Sequence, residues 1–385
     1  MFMRNLKSLV LMTAARIGHA LARPSTPITK LEAPNRILVF QAGGIGDILR
    51  TFPVLESLHA AFPDAELFTL SPFNTSVYEL LPEPEILTGK LSYNPTSDHR
   101  SFMTKIALTQ TVRRQTFDLI VNPARGQGML QHALLSFAFG APIRIGFNDA
   151  GAGFANTIRI PLAKDKPIVR QNLDLLRAIG IEPQVPNIHL RVRPIDLTPP
   201  LPQPLDKLGP LIAIHPGSTW DSCLQWPLTR YTELLSALLR EYRGTILLLG
   251  TGPEASMGEA LLTHSKSPRL VNLIGKTSLT QVVAILSRCV LFIGNDSGLL
   301  HVALGLRTPA IGLFGYTAPC QVIDPEGPCI ALHKPGEAPL YEHQAFFNFD
   351  ERRPNPLNNI QVEDVLEAAR SLLQDTTSSS PSTDK

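Results

Sequence analysis

One stretch constrains this chain more than any other: residues 290–316, VLFIGNDSGLLHVALGLRTPAIGLFGY. Residues 290–293 are an apolar run of buried-strand length. Residues 294–298, Gly-Asn-Asp-Ser-Gly, are a turn built from types that tolerate unusual dihedrals or cap a helix. Residues 299–306 have helical composition, and 309–314 return as a second apolar strand. A parallel strand–helix–strand unit carries such a turn at the carboxyl end of its sheet, where open α/β sheets bind ligands. The N–H groups of Ser297, Gly298 and Leu299 then start a helix and offer a seat for a phosphate. Asp296 and His301 add a carboxylate and an imidazole. The competing reading is an ordinary Asp cap and a surface histidine.

The same alternation runs through the rest of the chain. Residues 36–41, RILVFQ, read as a strand, 42–47 as a glycine-rich turn and 48–62 as a helix, in which Pro53 is tolerable only near the first turns. The turn is not a dinucleotide fingerprint, because Leu49 stands where G-x-G-x-x-G needs its third glycine, and it is not a P-loop. It offers an approachable backbone at Gly44 and Gly46, and one carboxylate, Asp47, which also reads as a helix cap. Strands follow at 65–70, 117–122 and 144–147, and helices at 101–114, 129–139 and 168–179. The loop 123–128, PARGQG, carries Arg125. Residues 194–210, PIDLTPPLPQPLDKLGP, are too proline-rich for regular structure and mark a linker. The second half repeats the first: strands at 211–215, 245–250 and 270–273, a loop at 216–227, helices at 228–242 and 278–287, and a Gly-Pro-Glu turn at 252–254 leading into a helix.

A chain of 385 residues with 44% hydrophobic content has ample material for two globular domains. The expected organisation is a first α/β domain over 36–193 and a second over 211–359, then a helix at 360–373 and a polar, disordered tail at 374–385. A cleft between two such domains is the default ligand site. A formal charge of +2 and 6% aromatics leave no footprint for nucleic acid. Four cysteines without C-x-x-C spacing fit a reduced cytosolic protein. Residues 1–23 place Leu6, Leu9, Val10, Thr13, Ile17, Ala20 and Leu21 on one helical stripe with Arg4, Lys7 and His19 away from it. That pattern suits a cationic helix lying on an anionic membrane surface, and it also allows a helix packed on its own domain or a cleaved signal. Residues 24–35, with three prolines, read as a linker.

Four segments carry a resemblance. They are ILVFQAGGIGDILRTFPVLESLHAAFPDAEL (37–67), FDLIVNPARGQGMLQHALLSFAFGAPIRIGF (117–147), IAIHPGSTWDSCLQWPLTRYTELLSAL (212–238) and the stretch 271–315 around NDSGLLHVALGL. Together they resemble the lipopolysaccharide heptosyltransferases, glycosyltransferase family 9. The resemblance implies an α/β chain of GT-B architecture, two Rossmann-like domains with parallel sheets facing across a cleft. It implies that the first domain binds the acceptor and the second the nucleotide sugar, and that sugar passes from an ADP-linked donor with inversion, without metal or other cofactor. The acceptor it implies is a lipid-linked lipopolysaccharide-core saccharide, met at the cytoplasmic face of the inner membrane. Asp47 matches the proposed general base. Ser218 and Thr219 match hydroxyls on the diphosphate, Glu254 an acid near the ribose, and Asp296, Ser297, Gly298 and His301 the donor turn. Gly44, Gly46 and Arg125 lie in the acceptor-side loops.

Two positions depart from the pattern. Where the family places a lysine two residues before Trp-Pro, this chain has Leu224. The acid of the family's Gly-Pro-Thr-Asp-Pro is absent from residues 315–319. Loss of a phosphate-paired cation costs about 1.5–3 kcal/mol. Arg125 or Lys276 is a candidate replacement. The alternatives are a catalytically impaired sugar-nucleotide-binding homologue, and an unrelated two-domain nucleotide-sugar or NAD enzyme, the last weakened by the failed glycine fingerprint.

Overall fold

The computed structural model describes residues 31–41, 43–72, 76–94, 97–99, 101–195, 197, 201–218, 225–325, 327–334, 336 and 355–378. The chain divides into two compact units between His189 and Leu190. Each is built on one six-stranded parallel sheet.

The first unit contains β1 (Arg36–Phe40), β2 (Glu66–Ser71), β3 (Leu87–Ser92), β4 (Leu119–Asn122), β5 (Ile143–Asn148) and β6 (Ile158–Pro161), in the order β3-β2-β1-β4-β5-β6. The second contains β7 (Leu211–His215), β8 (Thr245–Leu248), β9 (Leu270–Asn272), β10 (Cys289–Asn295), β11 (Ala310–Phe314) and β12 (Cys329–His333), in the order β12-β11-β10-β7-β8-β9. Counted from each unit's own first strand, both sheets run 3-2-1-4-5-6, the doubly wound order. The central strands read as near-continuous apolar runs because helices cover both faces. β7 and β11 are buried along their whole length, and β1 from its second residue on.

This order fixes where ligands bind. The chain reverses direction across the sheet between β1 and β4 in one unit, and between β7 and β10 in the other. Crevices open outside the carboxyl ends of strands at such switch points. They select residues after Phe40 and Asn122 in the first unit, and after His215 and Asn295 in the second.

The helix expected over 48–62 is two helices, α1 (Ile45–Leu49) and α2 (Phe52–Ala61). Pro53 lacks the N–H that would continue the first, and it sits instead in the opening turn of the second. Three strands were not expected: β3, β6 and β12. All are edge or near-edge strands with half-buried, irregular patterns. The other helices of the first unit are α3 (Phe102–Arg113), α4 (Gln127–Phe139) and α5 (Ile168–Arg177). In the second unit α6 (Leu228–Glu241), α7 (Ala255–His264), α8 (Leu279–Leu286), α9 (Gly298–Gly305), a short α10 (Pro319–Val322) and α11 (Val362–Ser378) follow. α11 runs past residue 373, into the segment read as tail. Its buried Val365 and Ala369 join the core made by α6, β10 and β11. Within the expected linker, Leu205–Lys207 form a 3-10 turn, and Leu197 and Leu201 are buried. The amphipathic segment 1–23, most of the linker 24–35, Thr219, Leu224 and the tail beyond 378 lie outside the described residues. Among the described residues no helix is long and apolar enough to cross a membrane.

Candidate functional site

The first unit's switch point is the turn between β1 and α1. Asp47 is the third residue of α1, and its carboxylate turns back on the loop. Its Oδ2 accepts from the Gly44 N–H at 2.8 Å, satisfying one of the amides a helix start leaves open. Its Oδ1 lies 3.7 Å from Arg50 Nη2, and the Arg50 side chain is only 5% exposed against 31% for Asp47. The carboxylate is therefore held by a buried cation and an amide on a side chain that is partly exposed. Gly43 is the residue this geometry requires: a Cβ there would lie 2.0 Å from Asp47 Oδ2. The Gly43 N–H in turn donates to Gln41 Oε1 at 3.1 Å. Gly46 is buried within α1.

Arg125, in the loop after β4, is tied to its own unit. Its guanidinium donates to the carbonyls of Pro123 (3.2 Å) and Ile168 (3.4 Å), to Gln171 Oε1 (3.5 Å) and to Asn172 Oδ1. It also lies over the Phe147 ring, 4.8 Å from the centroid. Fully buried Asn172 passes the link on, donating to the Arg50 carbonyl at 2.9 Å. Arg125 thus braces α5 against the end of the helix that carries Asp47. Lys276, exposed after β9, donates to the Asn272 carbonyl at 3.1 Å.

The second unit's switch point is denser. Register pairs His215 with Gly294, so β7 and β10 release their chains side by side. His215 is 4% exposed and its ring joins two residues read from the sequence as donor-binding. Nδ1 lies 3.0 Å from Ser297 Oγ, and Nε2 lies 3.3 and 3.4 Å from the two carboxylate oxygens of Glu254. Glu254 also accepts from the Thr251 N–H (2.6 Å) and hydroxyl (2.8 Å). Burial would raise the Glu254 carboxyl, but the hydrogen bond and charge of His215 and the two Thr251 donors outweigh it and hold it at about 2. Gly217 makes room for this carboxylate, since a Cβ there would lie 1.9 Å from Glu254 Oε1.

Asn295 locks the loop that leads to Ser218. Fully buried, it donates to the carbonyls of Pro216 and Gly217, both at 3.0 Å, and accepts from the Trp226 N–H at 3.1 Å. Gln225 adds a bond to the Ser218 carbonyl at 3.1 Å. Residues 216–218 and 225–226 are therefore clamped together. Asp296 and half-buried Ser297 and Gly298 follow Asn295 directly, and His301 is buried one turn into α9. Among the described residues no group of three or more His, Cys, Asp or Glu side chains is placed to hold a metal ion.

The structure thus gathers Gly44, Gly46 and Asp47 in one turn, with Arg125 linked to them through Asn172. It gathers Ser218, Glu254, Asp296, Ser297, Gly298 and His301 around a second. Sequence reading passed over Gly43, His215 and Asn295. His215 closes an apolar strand with no spacing to mark it, and its partners lie 39 and 82 residues away. The position of His215 at a strand's carboxyl end was the available signal.

The sequence profile of Glycosyltransferase family 9 (heptosyltransferase) matches residues 105–328, more than half of the chain. The match includes Arg125 and all the second-unit residues above, and it begins after Asp47. Lipopolysaccharide heptosyltransferase 2 of Escherichia coli K12 is 26% identical over 313 residues, covering 74% of this chain and 84% of that protein. The crystal structure of the family 9 glycosyl transferase from Veillonella parvula superposes with a TM-score of 0.72 at 18% identity, covering 90% of this chain and 99% of that one. E. coli heptosyltransferase WaaC, solved with ADP-2-deoxy-2-fluoro heptose, superposes with a TM-score of 0.64 at 18% identity, covering 87% and 99%. The α/β fold of this chain is that of the GT-B heptosyltransferases.

Proposed function

Because the chain belongs to glycosyltransferase family 9, we propose that this enzyme transfers heptose from an ADP-linked donor, with inversion, to a lipopolysaccharide-core acceptor. The observation that carries the reading is a coincidence of position. The segment matched by the family includes the whole of the second unit's switch-point turn, where Asp296, Ser297 and Gly298 open a helix and Ser297 is joined through His215 to Glu254. The names of the relatives supply heptose and lipopolysaccharide, and WaaC was solved with an ADP-linked sugar.

In this reading the second unit's turn holds the donor diphosphate. The first-turn amides of α9 face an anion that gains charge as the bond to the sugar breaks, and stabilising that developing charge is their main service. Ser218 and Thr219 add hydroxyls to the same phosphates, and Glu254 lies on the ribose side. In the first unit Asp47 takes the proton from the acceptor hydroxyl as that oxygen attacks the anomeric carbon. Attack from the face opposite the leaving diphosphate inverts the centre. Arg50 and Gly44 hold the carboxylate in place at the start of α1, on a partly exposed side chain. The scheme uses no metal or other cofactor. A lipid-borne acceptor places the enzyme at the inner face of the inner membrane, and the amphipathic pattern of residues 1–23 supports peripheral attachment there.

Calorimetric titration with ADP, UDP, GDP and NAD, with Asp296→Ala as control, tests the donor assignment. Selective ADP binding that the variant loses supports it. Selective binding of another nucleoside diphosphate keeps the transferase and removes ADP-heptose. Absence of all binding favours the impaired homologue to which Leu224 points.

A further inference from the structure

Ser297 occupies the N-cap of α9, and serine at that position ordinarily accepts a hydrogen bond from the second or third amide of its own helix. Here it does not: α9 has no side-chain cap bond, and Ser297 Oγ lies 3.0 Å from His215 Nδ1. The histidine has little freedom. Its other nitrogen faces the Glu254 carboxylate, which can only accept, so Nε2 carries a proton and donates. Nδ1 is thereby left to Ser297, as acceptor when the ring is neutral and as donor when it is charged. Glu254 is itself fixed by Thr251, and the histidine backbone by the Tyr231 hydroxyl, which donates to the His215 carbonyl at 3.3 Å.

We propose that His215 is a positioning residue that holds the Ser297 hydroxyl off the start of α9, so that the Gly298 and Leu299 amides, ahead of Leu300 whose N–H donates to the Ser297 carbonyl at 3.1 Å, stay open to the donor diphosphate. Glu254 and Thr251 orient the ring, the ring holds the serine, and the serine is withheld from the amides it would otherwise occupy. The same bond joins the β8–α7 turn to the β10–α9 turn through the end of β7, so the two walls of the seat keep a fixed spacing. This inference rests on the reading of that turn as the donor seat.

The test is a set of His215 variants and a double-mutant cycle with Ser297→Ala, read by ADP titration. Histidine Nδ1 stands at the position of an asparagine amide, and Nε2 nearer that of a glutamine amide. His215→Asn therefore keeps the hold on Ser297, and its ADP affinity stays within about threefold of wild type. His215→Gln and His215→Phe release the serine to cap α9, and ADP affinity falls about tenfold. In the Ser297→Ala background no hydroxyl remains to close the helix start, so His215→Phe then costs about twofold or less. A merely structural histidine would not separate Asn from Gln, nor lose its effect with Ser297. Unchanged ADP affinity in His215→Phe, or an undiminished loss in the Ser297→Ala background, overturns the proposal. Failure of the wild-type protein to bind ADP, UDP or GDP overturns the donor-seat reading, and with it the role given to the amides. The hold itself is read without ligand, from the melting temperatures of the four proteins in the cycle. A strictly additive cycle there overturns it independently.

Discussion

The two switch-point turns are built alike and finished differently. Each follows the first or fourth strand of a 3-2-1-4-5-6 sheet, and each opens a helix. In the first unit the helix supplies its own closure, as partly exposed Asp47 bends back to the Gly44 N–H. In the second unit the residue that should close the helix is drawn away by a buried histidine. A helix start closed by its own acid repels a second anion and displays a base. A helix start with its cap withdrawn accepts an anion. Under the proposed function, one framework thus provides for the two needs of sugar transfer, with a single side chain in each turn setting the difference.

The strongest way to break this contrast is to perturb one turn and watch the other function. Gly43→Ala places a methyl where Asp47 Oδ2 now lies, 2.0 Å from it, so the carboxylate must leave the Gly44 amide. Turnover is expected to fall about 100-fold, on the scale of a misplaced catalytic group, with ADP affinity unchanged. Gly217→Ala is the counterpart, its methyl 1.9 Å from Glu254 Oε1, and the loss should appear in ADP affinity, measured by the same titration.

Asn295→Ala tests whether the second turn depends on its clamp. It strands the carbonyls of Pro216 and Gly217 and the Trp226 N–H in a buried site. A loss of about 2–4 kcal/mol in unfolding free energy is expected by urea denaturation.

The Glu254 carboxyl gives the second turn an acid-sensitive element. It is held at about 2 against an ordinary 4.5. A depressed carboxyl stabilises fully above its unfolded value, so this contribution is lost as pH falls from about 4.5 toward 2. Up to about 2–3 kcal/mol follows that course. Glu254→Gln should flatten the fall in melting temperature over this window.

The smallest effect sharpens the comparison from the first unit. Burial, and then the charge of Glu83, raise the Glu56 carboxyl from 4.5 to about 7, and its Oε2 is buried without a partner among the described residues. A raised carboxyl stabilises fully below 4.5 and loses that contribution as pH rises through 7. Glu56→Gln should raise the melting temperature at pH 8 by about 2–4 °C and leave it unchanged at pH 4.

Much of this framework was legible in the residues. Apolar runs punctuated by Gly-Gly-Ile-Gly-Asp and Gly-Asn-Asp-Ser-Gly mark central strands feeding helix starts, because those strands are covered on both faces and carry a plain signal. Edge strands do not: β3, LTGKLS, is half-buried and polar, and it reads as loop. The break between α1 and α2 was missed: one helix was expected over 48–62 with Pro53 near its first turns, and the proline instead belongs to the opening turn of a second helix. Roles that depend on a partner far along the chain stayed hidden. The reading of Asp47 as a helix cap was legible because its partner Gly44 is three residues away. His215 was not, because Glu254 and Ser297 reach it only through the parallel pairing of β7 with β8 and β10. Asn295 looked like one more turn residue until its three buried bonds were seen.

The measurement that tests the account most directly is transfer of heptose from ADP-heptose to a heptose-deficient lipopolysaccharide core, run beside ADP titration, for wild type and Asp47→Asn. Asparagine can still accept from the Gly44 amide but cannot take a proton from the acceptor. Wild type is expected to turn over, the variant to lose about 10²–10⁴-fold, and both to bind ADP with equal affinity. Undiminished turnover in Asp47→Asn would contradict the assignment of chemistry to the first turn. Loss of ADP binding in that variant would contradict the separation between the two.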